Sequence, residues 1–85
     1  MNEVQKILVV DDDHEIRELL GRFLRKHGYR TGLAQNGKEM KTLLTQQSYD
    51  LIILDIMMPG DDGMTLCQHL RATSNVPIIM LTAIS

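Results

Sequence analysis

Lys6-Ile7-Leu8-Val9-Val10-Asp11-Asp12-Asp13 is the stretch on which the reading of this 85-residue chain turns. Ile7 to Val10 are four aliphatic residues with no polar alternation. Such a run predicts a strand buried on both faces. Both faces are covered only when helices pack on each side of a parallel sheet. The run stops abruptly at three carboxylates. The strand therefore carries acidic groups to the end of the sheet.

The same logic extends outward. Ile16, Leu19, Leu20, Phe23 and Leu24 are spaced 3, 1, 3 and 1 apart, which predicts one face of a helix over about 14–27. Asp13 is its N-cap, and Gly28 follows the basic end Arg25-Lys26-His27. Tyr29 to Ala34 reads as a short strand weakened by Gly32. Asn36-Gly37-Lys38-Glu39 opens a second helix in a near capping box, with Met40, Leu43 and Leu44 inward. Leu51 to Leu54 is another doubly buried strand and ends in Asp55. A loop from Met57 to Gly63 leads to a helix from about Met64 to Ala72, with Leu66, Cys67 and Leu70 inward. Val76 to Leu81 is the last apolar strand and ends in Thr82. The pattern β-α-β-α-β-α-β predicts a doubly wound parallel α/β sheet with right-handed crossovers. No repeat or linker interrupts it, so residues 1–85 read as one domain.

Composition narrows the function classes. Hydrophobic residues make up 44% and charged residues 24%, values of a globular chain. Nine basic residues against eleven acidic give a net charge of −2, with no basic run to meet nucleic acid or a membrane surface. A single cysteine, Cys67, excludes an internal disulfide and a Cys-rich zinc site. No apolar run approaches the ~18 residues of a membrane span, and no signal-peptide core is present. A cytoplasmic location is the expectation. His14, His27 and His69 match no metal-ligand spacing.

The chemistry gathers at the strand ends. In an open parallel sheet of order 2-1-3-4, ligands bind beyond the carboxyl ends of the strands, where the order reverses. Asp11 and Asp12 end the first strand, Asp55 the third and Thr82 the fourth. Two carboxylates ~4 Å apart repel by roughly 4 kcal/mol at an effective dielectric of 20. Either a proton or a cation relieves that repulsion. Oxygen ligands with open positions suit Mg²⁺ and a phosphoryl group. A carboxylate is also a covalent phosphoryl acceptor. A lone Asp after a strand is more often a helix cap; the combination of Asp11, Asp12, Asp55 and Thr82 on three strand ends is not.

These residues resemble the receiver domain of two-component response regulators. Three blocks carry the resemblance: Lys6 to Asp13; Asp50-Leu51-Ile52-Ile53-Leu54-Asp55-Ile56-Met57-Met58-Pro59-Gly60-Asp61-Asp62-Gly63; and Pro77-Ile78-Ile79-Met80-Leu81-Thr82-Ala83. The wording is closest to the OmpR/PhoB-like subfamily, whose regulators carry a C-terminal winged-helix DNA-binding domain. The resemblance implies a flavodoxin-like fold. It implies that Asp55 accepts a phosphoryl group from the phosphohistidine of a sensor histidine kinase. It implies that Asp12, Asp55 and the Met57 backbone carbonyl bind Mg²⁺, or Mn²⁺ in its place, with Asp11 acting through a metal-bound water. Thr82 and the Ala83 backbone N–H would hold phosphoryl oxygens, and Pro59 and Gly63 would shape the loop. The implied protein is a phosphoacceptor that assists its own phosphorylation, not a turnover enzyme.

The chain also departs from the family pattern. The family module continues through a helix, a strand and a helix that have no counterpart here, so the expectation is an incomplete receiver over 1–85. The family's phosphoryl-binding Lys is missing; Lys6, Lys26, Lys38 and Lys41 fall on other elements. The last strand becomes an apolar edge, and such edges recruit other strands. A homo-oligomer, formed by edge pairing or element exchange, is therefore expected. The alternative function is a phosphorylation-incompetent module that self-associates. A haloacid-dehalogenase-like phosphatase fragment is disfavoured: Asp11 and Asp13 have its spacing, but His14-Glu15 follow where Thr is required.

Overall fold

The buried stretches Ile7–Val10 and Leu51–Leu54 lie side by side at the centre of one sheet. The structure, a computed structural model, describes residues 4–60 and 62–81. Its elements are β1 (Lys6–Val10), α1 (His14–Lys26), β2 (Arg30–Ala34), α2 (Gly37–Gln46), β3 (Leu51–Asp55), α3 (Gly63–Thr73) and β4 (Ile78–Leu81). The strands are all parallel, in the order β2-β1-β3-β4. The expected flavodoxin-like order 2-1-3-4 is present.

Alternate residues of the central strands feed two cores, as the two-residue period of a strand requires. Leu8, Val10, Ile52 and Leu54 pack with Met40 of α2 and with Leu66 and Leu70 of α3. Ile7, Val9 and Ile53 pack with Leu24 of α1 on the other face. Leu8, Val9, Val10, Ile52 and Leu54 are fully buried.

Caps fix where the helices begin. The Asp13 carboxylate accepts from the N–H groups of Glu15 (2.9 Å) and Ile16 (3.4 Å). Asn36 Oδ1 accepts from Glu39 N–H at 2.9 Å, while the Glu39 carboxylate reaches one residue further back than expected, to Gln35 N–H at 2.9 Å. Asp62 accepts from Met64 N–H at 3.0 Å and so starts α3. Gly28, with φ +91°, turns the chain out of α1, a conformation that favours glycine.

The structure differs from the sequence reading at two places. The expected apolar face of α1 is only partly buried: Leu24 is buried and Leu20 half-buried, while Ile16, Leu19 (60% exposed) and Phe23 (56% exposed) face outward. The reason is that α1 lies over β1 and β2. Gly21 approaches Leu33 of β2, and the opposite flank of the helix meets no further element among the described residues. The last strand begins at Ile78, not Val76, because Pro77 has no N–H to give; its carbonyl instead accepts from Ile52 N–H at 3.0 Å. As the apolar edge that the sequence reading expects, β4 is partly exposed: Ile79 is 50% exposed and Met80 46%.

Gly63 and Gly32 are required by close approach. A Cβ on Gly63 would run into the backbone of Ile56, and one on Gly32 into the Tyr49 hydroxyl. Gly63→Ala is expected to destabilise the fold by about 1–3 kcal/mol, the usual range for overpacking, because backbone cannot yield. Gly32→Ala should be tolerated better in a Tyr49→Phe background than alone. Urea unfolding of Gly63→Ala beside wild type, and of Gly32→Ala, Tyr49→Phe and their combination as a double-mutant cycle, measures the two effects.

Candidate functional site

Parallel pairing of β1 with β3, Val10 opposite Leu54, brings the ends of these strands together at the reversal of strand order. Asp11 follows β1 directly, and Asp55 closes β3. One carboxylate oxygen each from Asp11, Asp12 and Asp55 lie within 4.8 Å of one another. Asp11 is buried at 3% exposure, Asp55 is half-buried and Asp12 is exposed.

The local backbone holds these groups. Asp11 N–H donates to Ala34 C=O at 3.0 Å, which continues the β1–β2 ladder by one step. Asp11 Oδ1 accepts from Asp13 N–H at 2.9 Å, and Asp55 Oδ1 accepts from Met57 N–H at 2.9 Å. The Arg17 guanidinium on α1 donates to the Asp11 carbonyl at 2.8 Å. Sequence reading missed Arg17. Its signal was its place on the first turn of the helix that the Asp triplet caps.

Burial raises the Asp11 pKa above that of an ordinary carboxylate, the Asp13 N–H opposes that rise, and Asp55 and Asp12 add to it through charge and, for Asp55, a hydrogen bond. Asp11 and Asp55 are thus a like-charged pair held together by the fold. The donor set is all oxygen, carboxylates of graded exposure, and is short of positive charge. It fits a hard divalent cation such as Mg²⁺.

The other expected residues fall as follows. Met57 sits in the loop two residues after Asp55, its side chain exposed. Thr82 and Ala83 lie outside the described residues; β4 ends at Leu81, whose carbonyl accepts from Ile56 N–H at 3.2 Å beside Asp55. Lys6 stands at the far end of β1, Lys26 closes α1, and Lys38 and Lys41 lie on α2. Among the described residues, no hydrogen bond or ion pair joins a Lys to the three carboxylates. His14, His27 and His69 are exposed and apart from the cluster, and Cys67 is a free, half-buried thiol against the α2–α3 core. No described helix is long and apolar enough to cross a membrane.

A doubly wound parallel sheet with carboxylates at its topological switch defines a class of α/β domains that work at that crevice. The chain belongs to the response regulator receiver domain family, whose profile matches residues 7–85. It is 49% identical over 78 residues to the transcriptional regulatory protein ResD of Bacillus subtilis, covering 92% of this chain and 32% of that protein. It is 51% identical over 78 residues to the uncharacterized transcriptional regulatory protein YrkP of the same organism, covering 92% of this chain and 33% of that one. Among solved structures, the Thermotoga maritima response regulator TrrA in complex with Mg²⁺-BeF superposes with a TM-score of 0.87 at 43% identity, over 96% of this chain and 72% of that one. TrrA is also solved in complex with the histidine kinase ThkA, with the same TM-score of 0.87 and identity of 43%, over 96% of this chain and 72% of that one. The chain spans about a third of the curated relatives it matches.

An Asp whose pKa is raised on folding binds its proton more tightly in the folded state. Its contribution is present below the unfolded value and is lost as pH rises through the folded one. Asp11→Asn should therefore stabilise the metal-free chain at neutral pH, by about 1 kcal/mol, within the usual range for a single substitution. That gain should vanish in acid. Thermal melts of both proteins across pH 3–8 check the sign, and Mg²⁺ should stabilise the wild type more than the variant.

Proposed function

We propose that this chain is a phosphoacceptor module of a two-component relay. Asp55 would take a phosphoryl group from the phosphohistidine of a sensor histidine kinase. The observation that carries the reading is the convergence of Asp11, Asp12 and Asp55 within 4.8 Å at the β1 and β3 ends. The complexes of TrrA with Mg²⁺-BeF and with a histidine kinase support it.

The carboxylates of Asp12 and Asp55, with Asp11 behind them and the Met57 carbonyl beside them, would hold Mg²⁺, or Mn²⁺ in its place. The bound cation supplies neutralisation of the charge on the transferring group. In the transfer, an Asp55 carboxylate oxygen attacks phosphorus. The new P–O bond forms as the P–N bond to the kinase imidazole breaks, and the imidazole leaves with the bonding pair. The Met57 N–H on Oδ1 would orient the Asp55 carboxylate for the attack. Thr82 and the Ala83 N–H, which lie outside the described residues, would receive the phosphoryl oxygens. The module assists its own phosphorylation and dephosphorylation without being a turnover enzyme. In a longer parent it would control a DNA-binding output domain in the cytoplasm, with no nucleic-acid contact from this segment.

A second reading is favoured by one observation. Ile79 and Met80 of the edge strand β4 are half exposed. Under it, the chain self-associates and does not accept phosphate.

Intact mass after incubation with Mg²⁺ and a small-molecule phosphodonor separates the two. The first reading expects one phosphoryl group gained by the wild type and none by Asp55→Asn. No gain by a wild type that circular dichroism shows to be folded would overturn it.

A further inference from the structure

We infer that the cleft at the amino ends of β1 and β2 binds a phosphate-bearing small molecule, at a site separate from the carboxylates at the other end of β1. The inference goes beyond phosphoryl acceptance and does not depend on it. The cleft is built from the starts of β1 and β2, the end of α1 and the turn into β3, on the side of the sheet away from β4.

Pairing of the strands creates its charge. Lys6 opens β1, Arg30 opens β2, and the parallel register sets the two directly opposite each other. Like charges so placed destabilise a sheet. Among the described residues, no carboxylate meets either side chain. Asp50 is adjacent, but its carboxylate accepts from the Lys6 backbone N–H at 2.8 Å and does not line the cleft. A third cation comes from the last turn of α1. The Arg25 guanidinium donates to Thr31 Oγ1 at 3.0 Å, which holds it against β2. The space between these groups is about 430 Å³. Small-molecule sites occupy roughly 300–1,000 Å³.

The neutral lining points the same way. Tyr49 is 9% exposed; its hydroxyl accepts from Gln47 Nε2 at 3.1 Å, and its own proton meets no acceptor among the described residues. Burial raises the pKa of this phenol, so it is a donor at neutral pH. Three cations, a phenol O–H and no carboxylate call for a ligand group that is negative and made of acceptors. A phosphate group is both, and hydrogen bonds from guanidinium and ammonium groups to it are the strong, charge-assisted kind. Tyr29 is exposed and lines the same cleft, where its ring offers a face to a nucleobase.

Titrations of this chain followed by two-dimensional ¹H–¹⁵N NMR test the inference, at low ionic strength and with EDTA, so that no cation draws phosphate to the carboxylates. AMP and inorganic phosphate are the probes, and adenosine is the uncharged control. AMP should shift the amide signals of Lys6, Arg30 and Tyr49 with a Kd of about 1 mM or tighter. Adenosine should bind at least tenfold more weakly. Lys6→Gln and Arg30→Gln should each weaken AMP about threefold, and together about tenfold. Tyr49→Phe should weaken it with the charge unchanged. Lys41→Gln, on α2 outside the cleft, and Asp55→Asn should leave it unaltered. Either source of the phosphate group supports the site: AMP binding tenfold tighter than phosphate assigns it to a nucleotide, and equal binding assigns it to phosphate itself. The absence of shifts up to about 10 mM of either probe overturns the inference. So does a loss on Lys41→Gln equal to that on Arg30→Gln, which would mark an unspecific charge effect. Binding of anionic phospholipid vesicles or single-stranded RNA without binding of AMP overturns it as well.

Discussion

The parallel pairing of β1 with β3 is the constraint on which the rest depends. Val10 opposite Leu54 fixes the register, and the register places Asp11 and Asp12 beside Asp55. These strands are also the most deeply buried, so a slip by one residue would turn Ile53 and Leu54 to the wrong cores and separate the carboxylates. Core packing and site geometry are set by the same residues. The hydrophobic burial of Leu8, Val10, Ile52 and Leu54 holds together groups that repel one another.

That repulsion is what suits the site to a cation. Asp11 sits below the surface with its pKa raised, chiefly by burial and then by Asp55 and Asp12. Backbone N–H groups from Asp13 and Met57 hold single oxygens of Asp11 and Asp55 without neutralising either. Such an arrangement suits a cation, which would supply the charge that the fold leaves out. Arg17 contributes differently. Its guanidinium binds the Asp11 carbonyl, not a carboxylate, so it steadies the end of β1 while leaving the acidic oxygens free.

The two faces of the sheet are unequal. Among the described residues, α2 and α3 cover one face, whereas α1 lies on the other and stands over β1 and β2. One helix, about 10 Å wide, cannot roof four strands spaced ~4.8 Å apart. Among the described residues, Leu19 and Phe23 face outward and Ile79 is half exposed on that side.

Much of this was legible in the sequence. The unbroken aliphatic runs at 7–10 and 51–54, the capping residues Asp13 and Asn36, and Gly28 after a basic helix end are local signals, and local physics decides them. The candidate acidic residues were legible too, because each sits where a buried run stops. Burial was not. The spacing of Ile16, Leu19 and Phe23 states that they share a side of a helix, but only packing decides whether that side meets a sheet. The requirement for glycine at Gly63 comes from the approach of Ile56, and the role of Arg17 from a bond to a strand end six residues back. Local sequence determined the elements and their chemistry. Tertiary structure alone decided which apolar groups left water and which carboxylates came within reach of one another, because both depend on contacts between residues far apart in the chain.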